Sequence, residues 1–470
     1  MRINPRLTNP TAIFIFFLVV YSLIVLLPRS KGMALTNGDE PHYLVMTYSL
    51  LHDRDLQLVN NYENADYRSW YPYPEGKLAA HMVNIQGKLY PLHQVGLALI
   101  LLPGFALAGR LGAVMSLIFL TSLGLAALYQ TLHYFVKKKI ALITILLVGL
   151  SAPIGIYSSL IYPEVVIFFI ICMTLKIILD PKFTLSKKNI LMLLPLISIM
   201  PVFHIKFSLL MAILVIFINL KVFKKTSKIT LLLFDILSII PLLIYLAWLN
   251  IYVDGNLLLA LRTFSGNTTL TLINVPSGLL AILVDRENGI FIFSPYFIYI
   301  VYICFQVLTN FRTKSKIQLQ NNIFLLLFSV PFITMFTTYV DVIGGQNPSG
   351  RYLLPVIPAL VILLSQALSQ KMTKRIQVKI ISIMALYSLI IFIILSLNPI
   401  LALPSGHESN LFNFLFRGKA YIIHALLPNL SKYQHIIKLD DYIKGWAIMF
   451  ILLILSNIEY FEKRLSRITK

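Results

Sequence analysis

The sequence predicts an all-α, polytopic membrane protein. Hydrophobic residues fill 58% of the 470 positions, charged residues only 13%, and the mean hydropathy is +0.80. That charged share is about half the usual one for a soluble domain. Apolar runs of membrane-spanning length recur along the chain. Together these observations exclude a soluble globular enzyme and a disordered chain. The net charge of +21 comes from 40 Lys+Arg against 19 Asp+Glu. Its basic residues cluster in short loops between apolar runs, where positive charge sets orientation. No basic face alternates with exposed aromatics, so the expected partner is the lipid bilayer and not nucleic acid. Cys172 and Cys304 both lie inside apolar runs, as small core residues rather than a disulfide.

Arg2 and Arg6 precede an apolar run from Ala12 to Leu27 with no small-residue cleavage site after it. This reads as an uncleaved first helix that starts in the cytoplasm. Basic loops follow at Lys137–Lys139, at Lys182, Lys187 and Lys188, at Lys221 to Lys228, at Arg312 to Lys316, at Lys371 to Arg375, and in the tail from Lys463 to Lys470. Placing all of them inside fixes the parity of the crossings between them. Gly112–Tyr134 is long enough to span. Gly96–Ala108 has about a dozen residues, too few at ~1.5 Å each to cross ~30 Å, so it is expected as a short outer-side juxtamembrane helix. Between Lys188 and Lys221, Pro201-Val202-Phe203-His204 breaks a stretch too short for two full spans. Two short helices are expected to meet near His204 and Lys206, where irregular backbone can line a protein cavity.

The remaining spans are expected near 140–160, 163–179, 229–251, 290–310, 322–340, 352–370, 376–398 and 445–460. With the first helix, 112–135 and the short pair, that gives about twelve crossings and both termini inside. The whole of 1–470 reads as a single membrane domain, with outer pieces at 28–95 and 399–444 and a last helix at 445–460. The acidic residues Asp39, Glu40, Glu164, Asp254, Asp285, Glu287 and Asp341 then fall outside.

Chemistry-bearing residues gather in those outer pieces. Asn37-Gly38-Asp39-Glu40-Pro41-His42-Tyr43 places two adjacent carboxylates just past the first helix, with Pro41 at the first position of the next one. Asp39 or Glu40 is expected to cap that helix. Carboxylates at a membrane interface can also deprotonate an acceptor hydroxyl or bind a metal. Lys206, His204 and Arg351 are cationic or polar groups at outer helix ends, suited to the charge developing on a leaving phosphate. Competing readings are simpler: Lys206 snorkels, Arg351 anchors a helix, and Glu164 partners a helix dipole. Asp285-Arg286-Glu287-Asn288-Gly289 reads as a turn capping the helix at Ile290, or as part of an acceptor entrance. The loop 54–76, with Asn60, Asn61, Tyr62, Tyr67, Trp70, Tyr71 and Tyr73, offers either a sugar surface or an interfacial aromatic belt. The loop after Asp341 lacks P-loop spacing, so nucleotide binding is rejected. Asn267-Thr268-Thr269 matches a glycosylation sequon, a short pattern that is common by chance.

The Asp39-Glu40-Pro41-His42-Tyr43 stretch directly after the first helix resembles the type C glycosyltransferases, in particular the protein O-mannosyltransferase and lipid A aminoarabinose transferase branch. Gly87-Lys88-Leu89-Tyr90-Pro91-Leu92-His93 resembles the Pro-rich juxtamembrane segment of that fold. Tyr162-Pro163-Glu164 resembles the second acidic position, and Gly350-Arg351-Tyr352-Leu353-Leu354-Pro355 the start of a late helix. Phe203-His204-Ile205-Lys206 resembles the lysine-bearing break, although Phe207 stands where the family has Gly. The resemblance runs to about residue 370, and the part after it is not expected to form the sizeable soluble domain that many relatives carry. It implies transfer of one sugar from a polyprenyl-phosphate donor to an extracytoplasmic lipid, glycan or protein, at an inner-membrane site facing outward. It further implies Asp39 and Glu40 as catalytic residues, with Lys206, His204 and Arg351 on the donor phosphate. Glu164 is the supporting acidic residue or a metal ligand. His42, Tyr43, His93, Tyr162, Asp285, Glu287, Asp341 and Tyr352 are weaker acceptor or sugar contacts. Whether a divalent metal ion takes part is left open. The rival classes are a flippase or transporter of lipid-linked saccharides and a lipid-diphosphate-dependent glycan ligase.

Overall fold

The computed structural model describes residues 9–26, 38–71, 76–264, 272–309, 316–338, 347–404, 409–417, 419–430 and 439–457. Asp341, the sequon at Asn267, Arg2, Arg6, Arg312, Lys314 and the basic tail lie outside them.

The described residues are mostly helical, as the apolar periodicity requires. Five of these helices are long and apolar enough to cross a membrane: Gly96–Leu132, Ile205–Val222, Lys228–Tyr252, Ile317–Thr337 and Arg375–Leu397. Pro10–Leu26 is a shorter apolar helix. Three expected spans are interrupted. The 140–160 run divides into Lys138–Gly149 and Ile154–Tyr157, with Pro153 between them. The 290–310 run breaks at Ser294-Pro295, because proline has no N–H for the helix ladder. Arg351–Leu353 is one 3₁₀ turn, and the helix proper starts at Ile357. Of the expected pair of short helices, Ile205–Val222 is long enough by itself to cross, and the half before the break is the shorter one.

Two compact units divide the chain: residues 10–128 with 157–269, and residues 1–9, 129–156 and 270–470. In the first unit, Gly96–Leu132 folds back on itself at Ala108 and Gly109, whose dihedrals are non-helical. Gly109 takes φ +54°, open to glycine at little cost. The two arms then pack so closely that a Cβ on Gly112 would stand 1.8 Å from the Gly104 carbonyl oxygen. The short helix 96–108 expected from the sequence is therefore a separate arm, as its length demanded.

One element was not anticipated. Met82–Ile85 and Lys88–Pro91 form an antiparallel two-stranded ribbon around a Gln86-Gly87 turn. Both turn residues have positive φ, 51° and 88°, the requirement of a tight hairpin turn. Ile85 and Tyr90 of the ribbon bury against Leu249, Val253 and Ala260. Lys88 at its tip meets Asp254.

The second unit is built around the helix Ile357–Lys371, buried over nearly its whole length. It packs against Tyr299–Thr309, Lys316–Thr337 and Lys138–Gly149. Cys172 in the first unit and Cys304 in the second are both free thiols.

Candidate active site

The site is assembled within the first unit, around the start of the helix Glu40–His52. Asp39 occupies the N-cap position, but its side chain makes no capping hydrogen bond. Its carbonyl oxygen instead accepts from the N–H groups of His42 and Tyr43, each at 3.2 Å. The expected side-chain cap is therefore absent. Glu40 is 1% exposed, accepts from Arg110 Nε at 2.8 Å through Oε1, and takes the Ile161 N–H at 3.2 Å through Oε2. Glu40 thus ties this helix to the arm after Gly109 and to the segment that leads to Glu164.

Glu164 is fully buried and accepts from Lys206 Nζ at 2.7 Å. Lys206 Nζ also lies 5.1 Å from the Phe207 ring centroid. The lysine is thus held inside the protein and does not reach along the surface as snorkelling would have it. His204 breaks the helix with an extended backbone, and its Nδ1 accepts from the Lys206 N–H at 3.2 Å. That bond places the ring proton on Nε2. His204 is therefore partly spent on holding the turn that carries Lys206. Tyr162, 2% exposed, is packed against Tyr157 with ring centroids 5.7 Å apart.

Gly96 brings the two halves together. A Cβ there would lie 2.6 Å from the Val202 carbonyl oxygen and 2.9 Å from the Phe203 nitrogen. Only a glycine permits this approach, and it seats the His93 loop beside the His204–Lys206 turn.

A second cluster surrounds Asp39. His42 stacks on His81 with centroids 3.6 Å apart and pairs through Nδ1 with the Tyr62 hydroxyl at 2.8 Å. Tyr43 packs on His93 at 4.7 Å, and His81 Nδ1 lies 3.3 Å from His93 Nε2. Burial first, then the neighbouring His81 and His93, hold the His42 pKa down to about 2, against an upward pull from Asp39. Burial also lowers that of His81. His42 is therefore a neutral imidazole at neutral pH.

No family model matches the sequence, and no curated protein matches it. Solved structures do match. The crystal structure of ArnT from Cupriavidus metallidurans bound to undecaprenyl phosphate superposes with a TM-score of 0.54, at 14% identity, over 95% of this chain and 76% of that one. The apo crystal structure of the same protein gives 0.52 and 15% over the same shares. This chain has the ArnT fold. ArnT is the lipid A aminoarabinose transferase, a type C glycosyltransferase, so the resemblance carried by Asp39-Glu40-Pro41-His42-Tyr43 holds at the level of fold.

Within that ArnT-like fold, the remaining sequence candidates lie in the second unit. Asp285 is fully buried and accepts from the N–H groups of Glu287 and Asn288, both at 2.9 Å, and of Leu430 at 2.7 Å. Three backbone donors make it a turn-holding residue, but the turn is buried rather than solvated, and the helix at Ile290 starts from Gly289 with no side-chain cap. Glu287 is 3% exposed. Arg351 is 7% exposed, lines a small cavity with Asn288 and Pro348, and sits 5.6 Å from the Tyr352 ring. Tyr352 stacks on Phe336 at 4.0 Å. The aromatic loop 54–76 of the first unit is structural where described: Asn61 donates to Asp53 and Asp66, and Tyr67 Oη accepts from the Leu78 N–H.

Sequence reasoning missed His81, Arg110 and the specific role of Tyr62. His81 could have been found only through the ribbon, which the sequence reading did not anticipate. Register pairs Met82 with Pro91, so the residues flanking the strands, His81 and Leu92-His93, must come together.

Proposed function

We propose that the protein is an inverting glycosyltransferase that moves one sugar from a polyprenyl-phosphate donor to an extracytoplasmic acceptor. The supporting observation is an ArnT-like fold in which Asp39 stands at a helix start without a side-chain capping bond, and in which Lys206 is paired with the buried Glu164 within the same unit. In this reading the acceptor hydroxyl attacks the anomeric carbon from the face opposite the phosphate. The sugar–phosphate bond breaks, polyprenyl phosphate leaves, and Asp39 takes the hydroxyl proton. Lys206 binds the phosphate, and its charge is held in place by Glu164 until the donor arrives. Arg351 is proposed as a second cation for the donor on its charge and burial alone. Glu40 supports Asp39 through its bonds to Arg110 and Ile161. The same reading places about twelve crossings in an inner membrane, both termini in the cytoplasm and the site outside.

The test is Asp39→Asn in a reconstituted transfer assay with a polyprenyl-phosphate sugar. Asparagine is nearly isosteric and no side-chain capping bond is lost, and thermal unfolding in detergent checks that the fold is retained. A missing general base should slow transfer about a hundredfold or more, with donor binding retained. Transfer within a few-fold of wild type would remove Asp39 from the chemistry and leave the flippase class standing.

A further inference from the structure

Asp39, His81 and His93 each offer one ligand atom, and these three atoms lie within 4.8 Å of one another. We propose that they hold one divalent transition-metal ion of the zinc type. The inference deepens the transferase reading in its claim about the acceptor, whereas the binding claim stands without it.

The geometry of the two imidazoles is the first support. His81 Nδ1 and His93 Nε2 are 3.3 Å apart. Two nitrogens each ~2.05 Å from a tetrahedral zinc ion are separated by about 3.3 Å. Asp39 must move one carboxylate oxygen inward by an ångström or so to complete the same face, a rotation open to a half-buried side chain.

The surroundings are the second support. Metal-ligating histidines are oriented by what lies behind them. His42 covers the face of His81 and is itself fixed by the Tyr62 hydroxyl. Tyr43 covers His93. The ribbon between Met82 and Pro91 fixes the spacing of the two ligands by its register.

Ligand chemistry sets the class of ion. Two imidazoles and one carboxylate suit Zn²⁺ and its neighbours, whereas Mg²⁺ and Ca²⁺ take oxygen ligands. Three protein ligands leave a fourth position open, the pattern of sites where a metal meets water or substrate. In the transferase that position takes the acceptor oxygen. A carboxylate bound through one oxygen keeps its other oxygen for the hydroxyl proton, so Asp39 serves both ends.

The experiment uses the full chain in detergent, stripped with a chelator and titrated with Zn²⁺, and with Co²⁺ as a visible reporter. One Zn²⁺ per chain is expected, with the intense absorption of a four-coordinate cobalt site. His81→Ala and His93→Ala should each weaken binding at least tenfold, and His52→Ala, a surface histidine, should not. The wild-type cobalt spectrum needs no variant, so a variant that fails to fold does not spare the claim. Absence of stoichiometric binding, or His81→Ala and His93→Ala binding like wild type, overturns the proposal. Stoichiometric Zn²⁺ with no sugar transfer keeps the metal site and removes the transferase. Undiminished transfer by stripped protein that binds no Zn²⁺ does the reverse.

Discussion

Glu40 and Arg110 meet where neither can be rehydrated cheaply, with side chains 1% and 18% exposed. Removing one partner of such a pair leaves the other charge buried. Arg110→Ala is therefore expected to cost about 3 kcal/mol, the lower end for a broken buried pair, because Arg110 retains some water. Adding Glu40→Gln should restore part of that loss. Thermal unfolding in detergent reads both, and a double variant no more stable than Arg110→Ala would mean the two do not act as a pair. Lys206 presents the complementary case. Glu164→Gln leaves its ammonium without a carboxylate but still accepts a hydrogen bond. Tighter binding of free polyprenyl phosphate together with lower stability is expected, since a phosphate would then be the lysine's main counter-charge. Unchanged affinity would separate Lys206 from the phosphate.

At the scale of elements, Gly96 is the joint on which the site depends. Gly96→Ala would press a methyl group to 2.6 Å from the Val202 carbonyl. Backbone must shift, at a cost of about 1–3 kcal/mol for overpacking. Transfer should fall with stability, because the His93 loop and the Lys206 turn move apart together. Wild-type transfer at reduced stability would show that their spacing does not matter. The ribbon's tip gives a pH-dependent expectation. A hydrogen bond from Lys88, then one from Tyr90, holds the Asp254 carboxyl below its ordinary value. A lowered folded value means the docking contributes above the usual carboxylate range and is lost as pH falls through it. The melting difference between wild type and Asp254→Asn should be steady from about pH 7 to pH 5 and shrink as the pH falls below about 4, and a difference that stays constant down to about pH 2 would exclude the ion pair as its source.

The elements also mark what could be read in advance. Asp39 and Glu40 could be singled out as paired carboxylates ahead of Pro41, and His204 and Lys206 as polar residues at the break that Pro201 makes in an apolar run. That Gly96–Ala108 is an element separate from the helix after it followed from length alone; the reversal at Ala108 and Gly109 did not. His81 was not legible, because its partner arrives through a ribbon whose Gln86-Gly87 turn is a weaker signal than Asn-Gly. Arg110 was hidden in an apolar stretch, and its target Glu40 lies 70 residues away. Asp285 was read as part of a solvated capping turn or an acceptor entrance, and is instead buried, tying its turn to Leu430 through backbone donors.

On the scale of the whole molecule, the orientation in the membrane is open to direct labelling. Glu164 cannot serve as a labelling site, because it is fully buried. Exposed positions can: Glu63 near the site, and Lys138 in a basic loop. A cysteine at Glu63 should react with an impermeant thiol reagent from outside, and one at Lys138 should not. The reversed pattern would place Asp39 in the cytoplasm and end the case for a lipid-linked donor.

The ribbon is a short lever with a load at each end. At one end Ile85 and Tyr90 rest on Leu249, Val253 and Ala260, the last turn of one long helix and the face of the next. At the other end hang His81 and His93. Two paired strands bend little, so a tilt at the helix end arrives at the imidazoles instead of being absorbed on the way. Bulk added at Ala260, fully buried against the ribbon, should therefore detune the histidine pair from a distance, with no polar group altered.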